Sequence, residues 1–253
     1  MHQRRRMTLL PVIGFALGSL FAAGQVPNTL TDREVKEGWV LLFDGKTPHG
    51  WRGAKIDKFP EYGWAIENGE LSVLESGGAE SRHGGDIVTV DQYDNFELSV
   101  EFKLTPGANS GIKYNVVGIE PNRPGSAIGL EYQVLDDSRH PDAKKGISGN
   151  RTLGSLYDLI PAAADKPVKP IGEWNQARIL VDGKHVEHWL NGKKILEYER
   201  GSEGFRAHKA ESKFKDNQGF GEHPKGHILL QDHGNRVSYR NIKLRPIKAK
   251  QSS

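Results

Sequence analysis

The stretch ARILVDGKHVEHWLNGKKILEYE, residues 177–199, contains two turn signals that decide the fold class. Asp182-Gly183 and Asn191-Gly192 each lie between runs of apolar and β-branched residues. Glycine readily adopts the positive φ that a two-residue hairpin turn needs. The stretch therefore predicts three consecutive antiparallel strands.

Strand patterns recur on both sides of this stretch. In NFELSVEFKL, residues 95–104, apolar and polar side chains alternate, which predicts a half-buried strand. Residues 226–247 predict two more strands around His233-Gly234-Asn235, and residues 38–45, GWVLLFDG, are expected to pair with the C-terminal strand. Because regular alternation of strands and helices is missing, the sequence predicts an all-β, antiparallel β-sandwich.

One long segment, residues 202–220, has no strand pattern. Phe205 and Phe214 can anchor a short helix or an ordered loop there, and disorder is the alternative. A connection of this length in a compact domain is more often functional than idle.

The N-terminus has the pattern of a secretory signal peptide. Three arginines, Arg4 to Arg6, precede an apolar run from Leu9 to Ala23, and small residues follow at the cleavage offsets. An uncleaved anchor is the alternative, but the run contains Pro11 and is short for roughly 30 Å of hydrocarbon. We expect a periplasmic or secreted protein, without stable membrane insertion after cleavage and without a lipobox, since the chain has no cysteine.

Composition limits the function classes. The formal net charge of +3 comes from the signal arginines, so the mature chain is close to neutral and no nucleic-acid partner is expected. The absence of cysteine excludes disulfides and thiolate metal sites. We expect a signal peptide at 1–24, a lead-in at 25–37, one sandwich domain at 38–247 and a tail at 248–253.

The segment GLEYQVLDDSRHPDAK, residues 129–144, carries the first candidate site residues. Strand alternation places Glu131 and Gln133 on one face and Tyr132 on the other. Asp136 follows on the Tyr132 face unless a bulge near Leu135 turns it towards Glu131. This polar face either lines a concave binding surface or is simply solvated.

Other candidates are scattered along the chain. His140 lies in a polar loop and can act as a general acid or base near neutral pH. His188 shares a strand face with apolar neighbours, so it is either a hydrogen-bonded core residue or a catalytic one. Further polar-tipped candidates are Lys113, Tyr157, Gln231 and His233, and an aromatic platform for a sugar can come from Trp51, Trp64, Trp174 or Trp189.

Common catalytic motifs are missing from the sequence. It contains no HExxH or EF-hand pattern, no GxGxxG or Walker loop and no GxSxG elbow. Carboxylates, amides, imidazoles and phenols remain, and these suit proton transfer on a hydroxyl-rich substrate. A divalent metal held by histidine and carboxylate ligands is compatible with this set, but no spacing requires one.

Six ordered blocks of the chain closely resemble the 3-keto-disaccharide hydrolase family. The resemblance implies a concanavalin A-like lectin/glucanase sandwich, export, and cleavage of glycosides whose sugar has been oxidised at C3 by a separate dehydrogenase. The blocks are LLFDGKTPHGW, GDIVTVDQYDNFELSVEFKLTPGANSGIKYNV, LEYQVLDDSRHPD, GSLYDLIPA, KPIGEWNQARILVDGKHVEHWLNGKKILEYE and GHILLQDHGNRVSYRNIKLRP.

The implied chemistry is elimination followed by hydration. A C3 ketone acidifies the C2 hydrogen, so a base can form an enolate that expels the glycosidic oxygen from C1. The enzyme must supply a base, an electrophile for the enolate oxygen and an acid for the leaving group. We expect Glu131 and His188 as leading acid or base, with Gln133, Gln231 and Lys113 binding the sugar or enolate. The second-line candidates are Asp136, His140, Tyr157 and His233.

Two other functions stay open from the sequence. Endo-β-glucanases of this architecture carry Glu-x-Asp-x-x-Glu on one strand, and the same spacing here reads Glu131, Gln133 and Asp136. Glu131 and Asp136 can form a retaining pair if their carboxyl groups lie about 5 Å apart, although the middle carboxylate is replaced by an amide. A carbohydrate-binding module without catalysis is the third hypothesis, because fold alone does not determine function.

Overall fold

The computed structural model describes residues 26–77, 84–120 and 127–247. The predicted signal peptide, residues 1–24, and the predicted tail, residues 248–253, lie outside the described residues. The helices of the described residues are α1 (Asp32–Lys36), α2 (Glu203–Glu211) and a 3-10 turn (Pro141–Lys144). The strands are β1 (Val40–Leu41), β2 (Trp51–Gly53), β3 (Trp64–Glu67), β4 (Glu70–Val73), β5 (Ile87–Thr89), β6 (Phe96–Leu104), β7 (Asn109–Val117), β8 (Ile128–Leu135), β9 (Trp174–Asp182), β10 (His185–Leu190), β11 (Lys193–Glu199), β12 (His227–Leu230) and β13 (Val237–Pro246).

The strands form two antiparallel sheets, as predicted. The large sheet has the order β11-β10-β9-β6-β13-β4-β3, and β1 also pairs with β13. The small sheet has the order β2-β5-β12-β7-β8. The prediction of an all-β antiparallel sandwich is therefore confirmed.

The main hydrophobic core fills the space between the sheets. In β6 the residues predicted to face inward are buried, among them Phe96 and Phe102, and they meet Ile112 and Tyr132 from the small sheet in one cluster. Burying one such side chain fully stabilises the fold by about 1.5–3 kcal/mol. The alternation of β6 thus fixes which face of the large sheet looks inward.

The two predicted hairpins are present, and one turn is shifted by one residue. Asn191 and Gly192 both have positive φ, 47° and 84°, and Leu190 pairs with Lys193 across them. In the first hairpin Asp182 still belongs to β9 and pairs with His185. The turn is therefore Gly183-Lys184 rather than Asp182-Gly183, because the glycine, with φ 63°, takes the first loop position.

The C-terminal strand joins the two ends of the domain. Val40 in β1 pairs with Leu244 in β13, which confirms the predicted partnership. β12 and β13 are the two strands predicted around His233, but they belong to different sheets. The connection between them therefore crosses from the small sheet to the large one.

Segment 202–220 begins with the short helix that was one of the expected alternatives. The Ser202 side chain accepts a hydrogen bond from the Phe205 N–H (3.1 Å) and caps α2. Phe205 is buried and stacks on Tyr198. After the helix, Phe214 stacks on Phe220 with ring centroids 4.1 Å apart. Within the part of the chain that is described, no helix is long and apolar enough to span a bilayer.

Candidate active site

A cavity of about 510 Å³ lies on the outer face of the small sheet. Tyr114, Leu130 and Tyr132 point into the core, so strand alternation turns Lys113 and Glu131 outward. The cavity is lined by Gly53, Ala54, Lys55, Ile56, Gly84, Gly85, Asp86, Lys113, Ala127, Ile128, Gly129, Glu131, Lys213, Phe214, Asn217 and Gln231. Three predicted site residues, Glu131, Lys113 and Gln231, are among them.

Glu131 and Lys113 form an ion pair in the cavity. They are directly opposed on β8 and β7, and the Lys113 Nζ lies 3.7 Å from the Glu131 Oε2. The Glu131 residue is only 6% exposed. A buried carboxylate is costly without a partner, and the lysine opposite supplies that partner.

A glycine makes room for the Glu131 carboxylate. A Cβ on Gly111 would lie 2.6 Å from the Glu131 Oε1. The carboxylate therefore lies across β7, on the side towards β12. Gln231, the residue after β12, donates its N–H to the Gly111 carbonyl (3.0 Å). A side chain at position 111 would displace the carboxylate.

Asp86 is a cavity residue that the sequence analysis did not single out. It directly precedes β5, and its Oδ1 accepts a hydrogen bond from the Asp232 N–H (2.9 Å). Burial raises the pKa of Asp86; the Lys113 charge opposes this, and the Glu131 and Asp232 carboxylates add to it. The only sequence signal was its position at the start of an apolar run, within a block that resembles the family.

The segment after α2 builds one wall of the cavity and adds Lys213, a lysine that the sequence analysis missed. The Lys213 backbone N–H donates a hydrogen bond to the Asp158 Oδ2 (2.8 Å). The Lys213 Nζ lies 4.3 Å from the centre of the Tyr157 ring. Phe214 and Asn217 complete this wall. Segment 202–220 therefore lines part of the cavity, and its functional role stays a prediction.

His188 is a core residue that does not line the cavity, so its position gives no support to the prediction of a catalytic acid or base. It is fully buried between the sheets, with Nδ1 2.9 Å from the Gly154 carbonyl oxygen and Nε2 2.7 Å from the Tyr114 hydroxyl. A carbonyl only accepts, so Nδ1 carries the proton, Nε2 accepts from Tyr114, and Tyr198 donates to Tyr114. Burial lowers the pKa of His188 to about 4, with the Gly154 hydrogen bond opposing.

Asp136 does not turn towards Glu131. β8 stays paired through Leu135, so no bulge occurs there. The Asp136 Oδ2 accepts from the Gly107 N–H (2.8 Å), and its Oδ1 accepts from the Ser138 N–H and hydroxyl. Burial alone would raise the pKa of Asp136, but the hydrogen bonds from Ser138 and Gly107 outweigh it and lower the pKa. Asp136 therefore orders its own loop, and the Glu131/Asp136 carboxylate pair is not assembled in the cavity.

The remaining candidates do not line the cavity. Gln133 is buried, and its Oε1 accepts from the Val134 N–H (3.1 Å). The Tyr157 hydroxyl donates to the Asp142 Oδ2 (2.9 Å). His140 and His233 stand edge to face with ring centroids 6.0 Å apart. Burial lowers the pKa of His140, and the neighbouring His233 lowers it further.

The tryptophan candidates do not form a sugar platform in the cavity. Trp51 and Trp64 are buried and donate their indole N–H groups to the Leu42 and Gly85 carbonyls. Trp174 and Trp189 lie in β9 and β10 of the large sheet. In the described ranges, Phe214 is the aromatic residue of the lining.

One group of side chains in the described residues has the spacing of metal ligands. Ligand atoms of His185, Glu187 and Glu197 lie within 4.8 Å of one another on the large sheet. The Lys194 ammonium already pairs with both glutamates. This cation disfavours a metal ion there, and the group does not line the cavity.

Fold and site together define a lectin-type β-sandwich with a carboxylate–lysine cavity on one sheet. The family model of the 3-keto-alpha-glucoside-1,2-lyase-like domain matches residues 38–245, and the chain belongs to this family. A Bacteroides thetaiotaomicron protein named 3-keto-disaccharide hydrolase is 38% identical over 229 residues, which cover 83% of this chain and 78% of that protein.

Solved structures agree with this assignment. A Parabacteroides distasonis protein described as a candidate glycosyl hydrolase is 31% identical, with a TM-score of 0.76 over 88% of this chain and all of that chain. The exoplasmic/lumenal domain of VIP36 is only 10% identical, with a TM-score of 0.51 over 86% of this chain and 91% of that chain, so it shows the fold alone. The concanavalin A-like fold implied by the resemblance is confirmed.

Proposed function

We propose that this protein is an exported enzyme that cleaves the glycosidic bond of 3-keto-glycosides by elimination across C1 and C2 and subsequent hydration. The observation that carries the proposal is the buried Glu131 carboxylate, paired with Lys113 in the cavity. The name of the Bacteroides thetaiotaomicron relative, a 3-keto-disaccharide hydrolase, supports the substrate class, and its 38% identity extends over most of the chain.

In the proposed reaction Glu131 removes the C2 proton. The C2–H electrons form an enolate with the C3 carbonyl. As this enolate collapses, the C1=C2 double bond of an α,β-unsaturated ketone forms, the C1–O bond breaks, and the leaving oxygen takes a proton. In this proposal Lys113 and Gln231, which line the same cavity, stabilise the negative charge that develops on the C3 oxygen. Water then adds to C1 and a proton returns to C2, so the net reaction consumes one water.

Asp86 is our candidate for the acid that protonates the leaving group. Asp86 lines the same cavity as Glu131, and burial raises its pKa, the direction that suits a general acid, whereas Glu131 faces Lys113 as an ion-pair partner. Two carboxyl groups in different environments of one cavity are a common arrangement for an acid and a base.

The proposed function also includes a cellular location for the enzyme and a source for its substrate. We infer export from the signal-peptide pattern of residues 1–24. A glycoside becomes a substrate only after its C3 hydroxyl is oxidised, so a separate sugar 3-dehydrogenase must supply the ketone.

Turnover of a disaccharide and of its 3-keto derivative tests the proposed function. We expect release of the second sugar only from the keto compound, together with enzyme-dependent deuterium exchange at C2 in D₂O, because the C2–H bond is acidic only beside the ketone. A reaction without enzyme corrects for spontaneous elimination. Equal turnover of the unoxidised disaccharide would refute elimination, and binding without turnover would indicate a carbohydrate-binding module.

Because Asp86 is proposed to protonate the leaving group, the loss of kcat/KM on its substitution should depend on the basicity of that group. For Asp86→Asn we expect kcat/KM to fall about 100-fold on a 3-keto-glycoside with an alkoxide leaving group. On the 4-nitrophenyl analogue we expect only a few-fold fall, because nitrophenolate leaves without a proton. Asp91→Asn, at an exposed position outside the cavity, is the matched control. Equal losses on both substrates would show that Asp86 does not protonate the leaving group.

A further inference from the structure

The cavity has an apolar side that the proposed chemistry does not use. Ala54, Ile56, Ala127, Ile128 and Phe214 all belong to its lining. Ile56 and Ile128 are 37% and 36% exposed, which is high for isoleucine in a folded domain. Large apolar side chains exposed beside a polar site are a sign of a ligand surface.

A second hydrophobic cluster packs beneath the apolar side of the cavity, against the small sheet. It consists of Ala54, Val88, Val116, Ile119 and Leu229, with Ala127 packed against it. The cluster is separate from the main core and lies on the outer face of the small sheet, since neighbouring residues of the same strands point into the core. The apolar side of the cavity is therefore packed and preformed.

The polar and apolar sides lie next to each other along the strands. Leu229 pairs with Lys113 in β7 and with Val88 in β5, so the cluster starts beside the Glu131–Lys113 pair. Gln231, two residues along the chain, belongs to the polar side. A glycoside bound with its oxidised ring over Glu131 can therefore place its second group against the apolar side.

The cavity is large enough for both groups. Its volume of about 510 Å³ falls within the range of pockets that enclose drug-sized ligands, which is more than one hexose needs. Lys55, Lys213 and Asn217 also line the cavity, but a second sugar packed on Ile56 and Ile128 would turn hydroxyl groups towards side chains that form no hydrogen bonds. Hydroxyls buried without hydrogen-bond partners are costly. An aromatic or aliphatic group has no such requirement.

We propose that the apolar side is the leaving-group subsite and that it selects 3-keto-glycosides with aromatic or aliphatic aglycones over 3-keto-disaccharides. This inference rests on the proposed function. It assigns Ile56 and Ile128 as specificity-determining residues. The substrate class is then glycosides of apolar alcohols.

Three 3-keto-glucosides of one anomeric configuration, with methyl, benzyl and glucosyl leaving groups, test this inference. We expect kcat/KM for the benzyl compound to exceed that for the methyl compound by about 10- to 100-fold, the effect of burying one phenyl ring. We expect the benzyl compound to exceed the glucosyl compound as well, although a sugar hydroxyl is the more acidic leaving group. Such an order therefore reports binding rather than leaving-group ability.

The double variant Ile56→Thr/Ile128→Thr is expected to remove most of the benzyl advantage and to change kcat/KM for the methyl compound no more than about threefold. Ile171→Thr is the matched control, because Ile171 is 38% exposed and does not line the cavity. Turnover of the methyl compound without a benzyl preference would overturn this inference and leave the proposed function intact. Absence of turnover and of C2 exchange with all three compounds would overturn both.

Discussion

Replacing Glu131 with glutamine is expected to lower kcat/KM on a 3-keto-glycoside by about 1,000-fold. Glutamine has nearly the same shape, but its amide cannot accept the C2 proton, and general base catalysis contributes typically 10²–10⁴-fold. Enzyme-dependent deuterium exchange at C2 should fall by the same factor, since exchange and cleavage share the proton-transfer step. Initial rates and exchange measured on the same preparation check this prediction.

The fold of this variant should remain intact. Glu131 reaches over Gly111 into the cavity, so its carboxylate does not take part in the packing of the two sheets. Glu67→Gln, at an exposed position at the end of β3, is the matched control and should keep the wild-type rate. A Glu131→Gln variant with wild-type turnover and C2 exchange would refute the assignment of the base.

The second large effect is expected on stability rather than on chemistry. His188→Ala should lower the free energy of unfolding by about 3–5 kcal/mol, because it leaves a cavity in the core and removes a hydrogen-bond partner from both Tyr114 and Gly154. Urea denaturation measures this change. Under conditions where the variant is folded, its kcat/KM should stay within a few-fold of the wild type. A stable variant that lost 100-fold or more in kcat/KM would restore His188 as a catalytic candidate.

The conservative variant His188→Gln separates hydrogen bonding from titration. The folded-state pKa of about 4 lies below the ordinary value of 6.5, so between these pH values the unfolded chain binds a proton that the folded chain does not. The contribution of His188 to stability is complete above about pH 6.5 and is lost as the pH falls towards 4, by on the order of 3 kcal/mol. Glutamine does not titrate, so this part of the pH dependence should vanish in His188→Gln.

His188 and Asp136, both predicted as site residues, do not line the cavity, whereas Glu131 does. His188 and Glu131 both lie in strands, and a period of two places a residue on one of two faces without saying which face meets the other sheet. Asp136 depended on a bulge that did not form, since Leu135 keeps its pairing with Asn109. Local pattern alone leaves both questions open.

The amino-acid sequence by itself determined the antiparallel strands, the family blocks, the Asn191-Gly192 hairpin and the polar face that carries Glu131. These features follow from side-chain alternation and turn chemistry, which act between near neighbours in the chain. Only the tertiary structure brought Asp86 and Lys213 to Glu131, buried His188 between the sheets and set an apolar side beside the polar one. These features depend on the pairing of β5, β12 and β7 and on the return of the chain after α2, which join residues that are far apart in the sequence.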